Sequence, residues 1–73
     1  MEIITGEVLR LLRTMKGIKQ QTVAAHLGIS QPAYCKLESS DCVEEKKVQM
    51  ILRLLQVTSE DIAFVAKQIK VST

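Results

Sequence analysis

Gln31, Pro32, Ala33 and Lys36 lie close together in the stretch QQTVAAHLGISQPAYCKL, residues 20–37, and their types suit recognition of base edges. A glutamine amide sets a donor beside an acceptor and pairs bidentately with adenine N6 and N7, while a lysine ammonium reaches guanine O6 and N7 or a phosphate. Competing chemistries are poorly served. The chain has no paired carboxylates in an apolar setting, no nucleophile with an evident base, no glycine-rich phosphate loop and little room for a substrate cleft, which argues against an enzyme. His26 and Cys35 lack a second pair at ligand spacing, so no metal site is expected. Cys35 and Cys42 could act as a redox switch only with a depressed pKa in an electropositive setting, and the neighbouring acids oppose that.

The elements that must hold these residues follow from spacing. Val23 and Leu27 are four apart and share a helix face, with Ala24 small enough for a second helix to cross closely. Gly28 supplies the left-handed residue that commonly ends a helix, and Ser30 is placed to cap the next one. Pro32 falls in the first turn of that second helix, where its missing N–H costs nothing. Tyr34 and Leu37 then return to the core, with the Tyr34 hydroxyl expected to reach the surface. Gln31, Ala33, Lys36 and the borderline Cys35 are left facing outward. Such a helix-turn-helix, over about residues 20–38, presents the N-terminal residues of its second helix to the DNA major groove.

Three further helices surround it. Val8, Leu9, Leu11, Leu12 and Met15 repeat at helical spacing between a capping Thr5 and a terminating Gly17. Val48, Ile51, Leu52 and Leu55 trace an i, i+3, i+4, i+7 stripe that begins near Glu44 and Glu45, and Met50 and Leu54 widen it. Thr58 to Asp61 offers a capped start for a last helix over about 59–70, with Ile62, Val65, Ala66 and Ile69 as its stripe. That stripe either closes the core or pairs with its twin across a two-fold axis, and the second reading is preferred because small domains bury too little surface alone. The run Glu2 to Thr5 is left unassigned. The expectation is an all-α, five-helix fold.

Composition sets the frame. Seventy-three residues suit one domain spanning 1–73. The chain is 47% hydrophobic with a mean hydropathy of +0.13, apolar enough to suggest a partner subunit. Two cysteines make no disulfide framework and fit a reducing cytoplasm. No apolar run approaches the roughly 20 residues of a membrane span. The net charge of +2 permits nucleic-acid binding without demanding it. Arg10, Arg13, Lys16 and Lys19 outnumber Glu2 and Glu7 in the first thirty residues, whereas Lys36, Lys46 and Lys47 face Glu38, Asp41, Glu44 and Glu45 in the next seventeen. Phosphate contact is therefore expected near the end of the first helix and the start of the second. Lys46 and Lys47 can be read equally as phosphate clamps or as solvated charges.

From about Val8 to Ile62 the sequence resembles the phage-repressor, Cro/C1-type (XRE) helix-turn-helix family, whose domains share the lambda-repressor-like fold. The resemblance implies that Arg13 pairs with Glu38 and locks the first helix onto the third. It implies that Gln20 donates to a DNA phosphate, with Gln31, Pro32, Ala33 and Lys36 in the groove. Gln21, Ser30 and Ser39 complete the expected contact surface. Three positions depart from the family pattern: Lys19 stands for a small polar cap, Ser40 stands for a glycine, and the acidic loop from Ser39 to Glu45 is about one residue short. The function so implied is a sequence-specific transcriptional regulator, a repressor that binds a palindromic operator as a homodimer without cofactor, metal or small-molecule ligand. The acidic loop favours the alternative, a protein-interaction module with weak or no DNA binding.

Overall fold

Most helix ends in the computed structural model, which describes residues 4–71, fall where local chemistry favours them. Helix α1 runs Gly6–Lys16, α2 Gln20–Leu27, α3 Gln31–Glu38, α4 Glu45–Leu55 and α5 Ser59–Val71. The five-helix, all-α expectation is met among these residues. Thr5 Oγ1 accepts from the Val8 N–H at 3.3 Å, and Ser30 Oγ accepts from the Ala33 N–H at 3.2 Å, so these two expected caps each engage a free donor of a first turn. Thr58 and Asp61 cap each other's backbone at 3.0 and 3.2 Å, a reciprocal box at the head of α5. Gly17 and Gly28 both close their helices at φ 72°. Lys19 offers no capping side chain to α2.

Helix α4 ends in a left-handed residue that is not glycine. Gln56 takes φ 53° after α4, a left-handed conformation that costs a residue with a Cβ roughly 1–2 kcal/mol. Sequence patterning gives no hint of it, because the stop falls on an ordinary polar residue.

The core lies around α1, which packs on α3, α4 and α5, while α2 packs on α3 and α4. Leu9, Leu12, Val23, Tyr34 and Ile51 are its largest fully buried side chains. Ile4 packs against the core and Thr5 caps α1; Glu2 and Ile3 lie outside the described residues. The stripe of α5 closes this core instead of facing outward. Val65 is only 3% exposed, Ile62 and Ile69 pack against the buried cluster, and Ala66 is half-buried. A Lys16–Asp61 ion pair at 3.1 Å ties the end of α1 to the start of α5. Val65, expected at a dimer interface, is thus part of the core, while Ile62, Ala66 and Ile69 are half-buried.

Candidate DNA interface

The inner face of α3 carries a polar network. Arg13 Nε donates to Glu38 Oε2 at 2.6 Å and Arg13 Nη2 to Glu38 Oε1 at 3.3 Å. The remaining end of the guanidinium, Nη1, donates to the Ile18 carbonyl at 2.8 Å. Gln20 Nε2 donates to Glu38 Oε1 at 2.8 Å. One carboxylate at the end of α3 therefore fastens α1 and the first residue of α2, and Arg13 carries the network on to the turn between them. Glu38 is 6% exposed. Burial pushes its carboxyl up, but the hydrogen bonds from Arg13 and Gln20 and the adjacent Tyr34 hydroxyl outweigh this and hold it below its ordinary value.

Tyr34 departs from expectation. Its ring packs inward, but it is fully buried, and its hydroxyl has no hydrogen-bond partner of acceptable geometry among the described residues. The group sits beside Glu38 and Arg13 instead of at the surface. Burial pushes the phenol's pKa up, so it stays neutral.

Gln20, expected at a phosphate, is half-buried and directs its amide nitrogen to Glu38. It braces the motif. The neighbouring Gln21 is exposed, and the uncapped first turn of α2 leaves backbone donors there of the kind that attract anions.

The outer face of α3 is free of these ties. Gln31, Pro32, Ala33, Cys35 and Lys36 are all exposed, as are Ser30 and Ser39. Ser30 also caps the helix, and Ser39 Oγ donates to the Cys35 carbonyl at 3.4 Å. Beside this face a groove of about 320 Å³ runs between α3 and the start of α4. Ile29, Ala33, Leu37 and Val43 are among its apolar walls, and Lys36 and Lys47 both line it. The two lysines left undistinguished by sequence thus differ: Lys47 is half-buried in this groove, and Lys46 is exposed.

Sequence reading overlooked Gly6. Its N–H donates to the Ser40 carbonyl at 2.9 Å, and a Cβ there would lie 2.2 Å from the Leu37 carbonyl oxygen and 2.6 Å from that of Glu38. The first turn of α1 therefore abuts the last turn of α3 through main chain alone. No local signal marks this contact, because it depends on a tertiary approach.

A capped, braced second helix with its exposed face turned away from the core, joined to its predecessor by a left-handed glycine, defines a helix-turn-helix DNA-binding domain. The model of the helix-turn-helix family of Cro/C1 (XRE) type matches residues 9–62, and the chain belongs to that family. Its class is a DNA-binding regulator. No curated protein and no solved structure gives a significant match. Among the described residues no helix is long and apolar enough to cross a membrane.

Proposed function

We propose that the chain is a transcriptional repressor that binds a two-fold symmetric DNA operator as a homodimer in the cytoplasm. The observation that carries this reading is the division of α3, whose outer side chains are exposed while its inner ones are held by α1 and α2. Gln31 pairs with adenine, and Lys36 reaches guanine or a phosphate. Pro32 and Ala33 bring the helix close to the base edges. Gln21, Ser30, Ser39 and the first turn of α2 contact the sugar-phosphate backbone, and one hydrogen of the Gln20 amide remains for a phosphate while the other holds Glu38. Repression then comes from occupying the site and excluding polymerase. Two recognition helices about 34 Å apart would engage successive major grooves, a separation compatible with neighbouring bodies of 32 × 22 × 21 Å.

Selection of duplexes from a random pool by the purified chain, at near-physiological salt so that non-specific contacts contribute little, tests the reading. Enrichment of a two-fold symmetric sequence is the expected result. Failure of folded protein to enrich any sequence would overturn it in favour of a protein-interaction module, the reading that the exposed acids Asp41, Glu44 and Glu45 support.

A further inference from the structure

The groove between α3 and the start of α4 is walled by side chains already fixed in place. Ile29, Leu37 and Val43 give it an apolar floor and pack on the core from behind. The loop that borders it is pinned as well, because Ser40 Oγ donates to the Cys42 carbonyl at 2.7 Å and accepts from the Cys42 N–H at 3.3 Å. A volume of about 320 Å³ suits a small ligand.

Two cations stand at the rim of this floor. Lys36 and Lys47 both line the groove, and neither is in an ion pair among the described residues. Lys47 is half-buried, as expected of a lysine that lays its stem along an apolar wall and keeps its ammonium at the edge. Glu44 lines the same groove but pairs with neither lysine, so two positive charges meet one negative. The cavity of about 400 Å³ on the other side of α3 has the opposite character. Glu7, Glu38 and Asp41 outnumber Arg10 there, and Ile69 is its one aliphatic wall among the described residues.

We propose that the groove between α3 and α4 binds a small amphipathic carboxylate, with its hydrocarbon chain on Ile29, Leu37 and Val43 and its head between Lys36 and Lys47, and that occupancy releases the operator. A bare phosphate would meet the lysines and leave the floor unused, whereas each methylene buried on that floor adds to binding. Release follows from shared residues. Ala33 and Lys36 line the groove and also belong to the row assigned to DNA, so a chain lying there thickens α3 where it must approach the base edges. The release rests on the DNA-binding reading, whereas the site itself does not.

Amide NMR titration of the full chain with octanoate, in the absence of DNA, tests the site. The expected result is saturable shifts centred on Ile29, Leu37, Val43 and Lys47 at millimolar ligand, with a dissociation constant about tenfold below that of the uncharged octanamide. Acetate, which has the head without the chain, should not saturate. Lys47→Gln should bring octanoate and octanamide to within about threefold of each other, while Lys46→Gln, outside the groove, should keep the preference. Shifts centred on the exposed Phe64 or Met50, an amide that binds as well as the acid, or a preference that survives Lys47→Gln would overturn the site. Loss of operator affinity in Lys47→Gln without any octanoate shift in the original chain would assign this lysine to a DNA phosphate instead. On the selected operator, octanoate at about ten times its dissociation constant should weaken binding about tenfold by mass action, compared with sodium chloride at the same ionic strength. Groove binding that leaves operator affinity unchanged would overturn the release. A folded chain that enriches no operator would overturn the release together with the DNA-binding reading, while the titration still decides the site.

Discussion

The two faces of α3 differ in what their polar groups are doing. On the inner face, Glu38 receives Arg13 and Gln20 while Tyr34 fills the space beneath, and every donor of the Arg13 fork that reaches inward meets an acceptor. On the outer face, Gln31 and Lys36 are exposed and make none of these contacts. The inner face fixes the pose of the helix, and the outer face is left available for an external partner. On the proposed reading, stability and recognition fall to different residues of the same eight-residue helix, and substitutions on the two faces should fail in different assays.

The largest effect is expected on the inner face. Glu38→Ala strands the Arg13 guanidinium, whose side chain is 14% exposed, and should cost about 3–5 kcal/mol in urea unfolding, a large fraction of what a domain this size possesses. A loss below about 1 kcal/mol would mean that water already screens the pair, as at exposed sites. Next comes the outer face. Gln31→Ala should leave the unfolding midpoint unchanged while weakening binding to the selected operator by about 1–3 kcal/mol, with random DNA hardly affected. Equal losses on both duplexes would remove Gln31 from base reading.

Acid sharpens the same division. Because the Glu38 carboxyl lies below its ordinary value of 4.5 in the folded chain, its contribution is complete above that value and is lost as pH falls through the depressed one. Asp61, bonded to Thr58 and facing Lys16, is also lowered and acts in the same direction. Unfolding midpoints taken across this acid range should therefore fall less steeply in Glu38→Gln than in the original chain, without becoming flat. Identical profiles would contradict the role given to Glu38. The smallest effect serves as a control remote from both faces: Gln56→Gly relieves the left-handed backbone after α4 and should raise stability by on the order of 1 kcal/mol with DNA affinity unaltered.

Much of this architecture is legible in the chain because helices announce themselves locally. The i, i+3, i+4 stripes, Gly17, Gly28, Ser30 and the Thr58–Asp61 box each act within a few residues, so spacing alone locates them. Arg13 and Glu38 are 25 residues apart, and only the family resemblance joined them. Gln56 shows the limit of residue-type rules, since tertiary packing can impose a glycine-like conformation on glutamine. The α5 stripe shows another: amphipathic spacing reveals that a face must be covered, but not whether α1 or a second chain covers it. The Tyr34 hydroxyl escapes sequence reading for a related reason, because the depth of a side chain depends on how closely two helices approach. Of the site itself, the outward row from Gln31 to Lys36 follows from helical phase, whereas the groove shared by Lys36 and Lys47 exists only once α3 and α4 are assembled.

The seat of Gly6 beneath the last turn of α3 bears on how such a domain can change its target. A contact built from a glycine and three carbonyls carries no side-chain vocabulary, so it does not drift when residues on the outer face are exchanged. If Gln31, Ala33 and Lys36 read bases as proposed, rewriting them would alter the text that α3 can read while leaving its angle of presentation untouched. The domain is, in that sense, a fixed holder for a replaceable reading edge, and Gly6 is the position where the holder tolerates no revision.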